Sequence, residues 1–129
     1  MMFREFQGVR QEPGSRRRWF ESPDLDLVVW YAEEGGVVGF QLIYGTPQEQ
    51  RALTWRLGSA FLHQAVDAGD RLLGKLSPVL IKCEEPPPPD LAVRFAAQSG
   101  SLETDLAEFV GARLRAAFPW SDHNGRITP

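Results

Sequence analysis

The sequence predicts an α+β fold, an antiparallel β-meander of about four to six strands with two carboxy-terminal helices packed on one face. Three observations lead there. Residues 25–31 and 37–44 alternate at a period of two around a pair of glycines, the signature of a hairpin. Residues 101–117 instead place apolar side chains at three- and four-residue steps, which is helical. Finally, 129 residues with 43% hydrophobic and 24% charged side chains suit a single domain, 1–129. At that length folding buries roughly two thirds of the unfolded surface.

The amino-terminal MMFREFQGVRQEP carries charges and a glycine where a signal peptide needs an apolar run. Residues 1–14 are therefore expected as a loose end, and the location as cytoplasmic. No stretch has the apolar length of a bilayer span. The lone Cys83 has no internal disulfide partner, which agrees with a reducing compartment.

RRRWFE, residues 16–21, adds a strand with Arg16, Arg18 and Phe20 on one side and Arg17, Trp19 and Glu21 on the other. Which side meets the core stays open. Ser22-Pro23-Asp24 makes the next turn. In LDLVVWY, Leu25, Leu27, Val29 and Tyr31 oppose Asp26, Val28 and Trp30; in VVGFQLIY, Val38, Phe40, Leu42 and Tyr44 oppose Val37, Gly39, Gln41 and Ile43. A two-residue turn centred on Glu34-Gly35 or Gly35-Gly36 sets Leu27, Val29 and Tyr31 beside Tyr44, Leu42 and Phe40 as one core face. Trp30 and Val28 then lie beside Gln41 and Ile43 on a mixed, partly covered face.

RALTWRL, residues 51–57, continues the meander with Leu53, Trp55 and Leu57 apolar and Ala52, Thr54 and Arg56 polar. Its polar side brings Trp30, Gln41, Thr54 and Arg56 together. Residues 59–68 admit two readings. As a helix, Ser59 caps it, Gly69 ends it, and His63 sits about 6 Å from Asp67. As a strand, Gly58 is a bulge and His63 and Asp67 share a side about 13 Å apart. Ser77–Cys83 is a short buried strand, and Pro86–Pro89 a stiff connector. Asp90 is expected to cap LAVRFAAQ, Gly100 to end it in a left-handed conformation, Ser101 to start the second helix and Pro119 to close it. Residues 120–129 are expected as a loose tail onto which Trp120 folds back.

The pattern RRRWF, DLVVW, GFQLIY, ALTW and a later histidine with VD resembles a family of small uncharacterised bacterial proteins, over roughly residues 16–83. The resemblance implies no activity and no catalytic residue.

The chain has no GxxxxGK[ST], GxGxxG or GxSxG motif, so no cofactor is expected. His63, Asp67, Asp70, Cys83, Glu84 and His123 lack zinc-site spacing, and no metal is expected either. A net charge of −3 with pI near 5.4 argues against general nucleic-acid binding. Asp24 and Asp26 are expected as solvated, Cys83 as buried and inert, and the strand tryptophans chiefly as packing.

Two function classes remain. The favoured one is a non-enzymatic module that binds a small molecule or a protein through the mixed face, with Trp30, Gln41, Thr54, Arg56 and His63 as its residues. The other is a small enzyme in which His63 is a general base beside Asp67 and Arg56 stabilises an anion. A homodimer fits either class, because an exposed sheet edge or apolar patch can be completed by a second copy.

Overall fold

The computed structural model describes residues 2–9, 11, 16–67, 79–83, 85–117, 120–121 and 127–128. Seven strands form one sheet in sequential order: β1 (Arg4–Phe6), β2 (Arg16–Glu21), β3 (Leu25–Tyr31), β4 (Val37–Thr46), β5 (Glu49–Arg56), β6 (Leu62–Asp67) and β7 (Val79–Lys82). Each neighbouring pair is antiparallel. Helices α1 (Leu91–Gln98) and α2 (Thr104–Ala116) follow, joined through a short 3-10 turn at Ser99–Ser101. A separate two-stranded ladder pairs β8 (Trp120–Ser121) with β9 (Ile127–Thr128). The fold is α+β, as expected, and the sheet has one more strand than the upper expectation.

The β3–β4 hairpin turns differently from the two-residue loop expected. Ala32 N–H donates to Gly36 O at 2.8 Å and Gly35 N–H donates to Ala32 O at 2.9 Å, closing a three-residue loop with Gly35 at φ 101°. Such a loop alone would pair odd with odd positions. A bulge at Val38 restores the alternation, since Tyr31 pairs Val37 while Trp30 pairs Gly39. Both faces therefore come out as read, with the register that a turn centred on Glu34-Gly35 would set: Leu27 meets Leu42, Val29 meets Phe40 and Leu25 meets Tyr44.

One face of the sheet carries the core. Leu27, Val29, Phe40, Leu42 and Leu53 are fully buried against Leu91 and Phe95 of α1 and Val110 and Leu114 of α2. Leu57 does not join them; it lies past the end of β5 and is 67% exposed. The amino terminus is held rather than loose. Phe3 is buried, its ring 5.7 Å from that of Phe95, and its amide donates to Gln98 O at 3.1 Å.

Residues 62–67 are strand, which closes the open alternative, and Gly58, at φ 82°, belongs to the β5–β6 turn instead of a bulge. Pairing of His63 with Leu53 and Ala65 with Arg51 outweighs the helix propensity of the alanines. The helix ends also differ. Asp90 makes no side-chain cap bond, Gly100 lies in the 3-10 turn without positive φ, and α2 begins at Thr104. Ser101 instead donates its hydroxyl to Phe3 O at 2.6 Å, so it tethers the amino terminus. Asp105 in the first turn of α2 and Arg113 and Arg115 in the last complement the helix dipole. Pro119 and Gly69 lie outside the described residues.

Candidate functional site

On the face opposite the helices, strand register lines up three rows of side chains. Arg17, Trp30, Gly39 and Arg56 form the first; Trp19, Val28, Gln41, Thr54 and Leu62 the second; Glu21, Asp26, Ile43, Ala52 and Gln64 the third. A hollow of about 560 Å³ opens over them, lined in part by Arg17, Trp19, Asp26, Trp30, Gln41 and Arg56. This size is ordinary for small-molecule sites.

The first row is built around a glycine. A Cβ on Gly39 would stand 2.9 Å from Trp55 O and 3.1 Å from the Trp30 ring, so a bare backbone is what lets Trp30 lie across β4. Over that ring sits the Arg56 guanidinium, 4.4 Å from its centroid. In the second row Gln41 Nε2 donates to Thr54 Oγ1 at 2.9 Å, which leaves the Gln41 carbonyl turned to other partners. Thr54 is itself buried.

The third row departs from expectation at Asp26, which is half-buried rather than solvated. Its Oδ2 accepts from Trp19 Nε1 at 3.0 Å. Burial pushes the Asp26 carboxyl above the usual carboxylate range; the indole bond opposes this and nearby Glu21 adds to it. Among the described residues no cation pairs with it.

His63 lies on the other face. Its register partner is the core residue Leu53, and only 3% of its surface is exposed. The ring stacks parallel to Tyr44 with centroids 5.9 Å apart. Nδ1 donates to Glu85 O at 2.7 Å, which leaves Nε2 to accept from the Tyr44 hydroxyl. Burial pulls the His63 pKa down, with the Glu85 carbonyl opposing, and pushes the Tyr44 phenol up. Asp67 stands four strand positions away, about 13 Å along the chain, so the close pair of the helical reading does not form. The structure thus brings Trp30, Gln41, Thr54 and Arg56 together and leaves His63 apart from them.

The arginine run divides by alternation. Arg17 faces the hollow, while Arg16 lies over Tyr31 on the helix side at 5.3 Å. Arg18 binds Glu5 through Nε and Nη2, both at 2.9 Å, and reaches Glu103 at 2.7 Å. Cys83 is half-buried, less enclosed than expected, and its amide donates to His63 O at 2.9 Å. Among the described residues no three His, Cys, Asp or Glu side chains cluster to hold a metal, and no helix is long and apolar enough to cross a membrane.

Asp26, Trp19 and Arg17 also line the hollow, although Asp26 was expected as solvated and Trp19 chiefly as packing, and Gly39 lies in the row beneath it. Asp26 shares Trp30's period-two face, and a glycine inside a strand commonly marks close approach, so both signals were present. No family model matches the chain, and no curated protein or solved structure matches it either.

Proposed function

We propose that the chain is a non-enzymatic binding module whose site is the hollow over the mixed face of the sheet. The carrying observation is that Trp30, Gln41 and Arg56 line one cavity of about 560 Å³. A ligand with a flat apolar part and an anionic or carbonyl group suits it. Trp30 supplies a wall, Arg56 a planar donor fork and Gln41 a spare carbonyl.

The enzymatic reading has less support. A general base must come within hydrogen-bond reach of its proton. His63 is buried, both ring nitrogens are engaged, and the sheet separates it from Arg56.

The test is a thermal-shift screen of metabolites against wild type and Arg56→Lys, since a ligand that binds the folded state raises its melting temperature. Hits that stabilise wild type and fail on Arg56→Lys are expected. Hits that stabilise both equally would remove Arg56 as the anchor and leave the face as a protein or dimer surface.

A further inference from the structure

We infer that the hollow is polarised for an extended zwitterion of about tripeptide length lying along the strands, its cationic end at Asp26 and its anionic end at Arg56. The inference rests on the binding reading above and assigns that site a ligand class.

Arg17 and Arg56 stand in the row of Trp30, while Glu21 and Asp26 stand in a row four residues further along β3. At strand rise that separation is about 13 Å between backbones. Three extended residues span roughly 10 Å, and a hydrogen bond of about 3 Å at an end makes up the rest. Opposite charges on one molecule therefore match opposite ends of one hollow.

Each end has capacity left over. At Asp26 the indole of Trp19 occupies Oδ2, and among the described residues no bond engages Oδ1 and no side chain neutralises the carboxylate. Its raised pKa expresses the same thing, a desolvated charge without a counter-ion. An ammonium group delivered there would restore what burial removed. Arg56 is exposed, with its guanidinium carbon 4.4 Å from the Trp30 ring centroid, and among the described residues no hydrogen bond or ion pair engages its N–H donors.

Between the ends runs the second row. Gln41 spends one amide N–H on Thr54 and retains its carbonyl and its other N–H. A peptide-like amide offers the matching acceptor and donor. Val28 and Trp19 beside it form an apolar floor for the ligand's carbon chain.

Isothermal titration with trialanine, N-acetyl-trialanine and trialanine amide tests this on the whole chain. Trialanine should bind wild type at least tenfold more tightly than either capped form. Asp26→Asn keeps the shape and should erase the penalty for acetylation while leaving that for amidation; Arg56→Ala should do the reverse. Equal binding of all three peptides to wild type overturns the polarity, as does a uniform loss with Asp26→Asn. Absence of binding by all three overturns the ligand class. If N-acetyl-trialanine binds as well as trialanine and needs Arg56, the zwitterion fails while the hollow keeps its function. The three peptides on wild type alone decide the matter should a variant fold poorly.

Discussion

The Arg56 guanidinium lies over the Trp30 ring across an intervening glycine, so three neighbouring strands meet in one stacked unit. The arrangement depends on Gly39 having no side chain, because the nearest atom to an added Cβ is the backbone oxygen of Trp55 at 2.9 Å. A backbone oxygen inside a ladder has little room to yield.

Gly39→Ala should therefore destabilise the protein by about 1–3 kcal/mol, the usual cost of overpacking. Arg56→Ala, which removes only an exposed cation–π contact, should cost about 0.5–1 kcal/mol. Urea melts compare the two. A larger loss for Arg56→Ala than for Gly39→Ala would contradict the view that glycine is what seats the tryptophan.

Leu42 faces Leu27 across β3–β4, and both are fully buried under the helices. Leu42→Ala should cost about 2–5 kcal/mol by lost transfer energy plus the cavity left behind. Ile43→Ala, on the other face and only half-buried, should cost less. Equal losses in chemical denaturation would undermine the assignment of faces.

Arg18 joins Glu5 of the edge strand to Glu103 before α2, with its side chain 14% exposed and those of the carboxylates 32% and 65%. Solvent screens much of this, so Arg18→Ala should cost only about 1 kcal/mol, less at high salt. Pairing with Arg18 holds the carboxyls of Glu5 and Glu103 below their ordinary values. Their contribution is complete above pH 4.5 and fades as acid protonates them in the fold. With Arg18 so engaged and Arg17 on the opposite face, the run presents no shared phosphate grip. Titration with nucleic acid should show at most weak binding that disappears as salt rises. Binding that survives physiological salt would overturn this.

Period two in residues 25–31 and 37–44 placed Leu27 and Trp30 on opposite faces, and the same alternation drew Gln41, Thr54 and Arg56 to Trp30's side. Partner register was legible only as two alternatives, and the bulge at Val38, which offsets a loop one residue longer than expected, yields the one centred on Glu34-Gly35. β1 escaped notice because three residues, REF, are too few to show a period. LHQAVD satisfied helix and strand patterns alike, and pairing with β5 and β7 decides it. Asp26 looked solvated because its burial comes from neighbours such as Trp19 on β2, the strand whose inward side the alternation of RRRWFE left undecided.

The buried Tyr44–His63 pair predicts a specific acid sensitivity. In the fold, His63 is held neutral: burial depresses its pKa below the 6.5 of an unfolded chain, and its Nε2 is needed as the acceptor for Tyr44. Below pH 6.5 the unfolded chain takes up a proton at this position that the native state refuses. Stability therefore falls as pH drops from 6.5 toward the depressed native value, and is fully present above 6.5. The Glu5 and Glu103 losses begin only below 4.5, and Asp26, with its raised pKa, works in the opposite sense because it accepts a proton more readily when folded. The difference between wild type and His63→Gln, measured by urea melts from pH 5 to 8, isolates the histidine. His63→Gln should be less stable than wild type at pH 8 and lose less between pH 7 and 5. Tyr44→Phe, which strips the buried Nε2 of its donor, should cost about 1–3 kcal/mol at pH 8. It should cost less at pH 5, where the freed nitrogen can take up a proton. Parallel pH profiles for wild type and His63→Gln would mean that His63 is not held neutral by the fold.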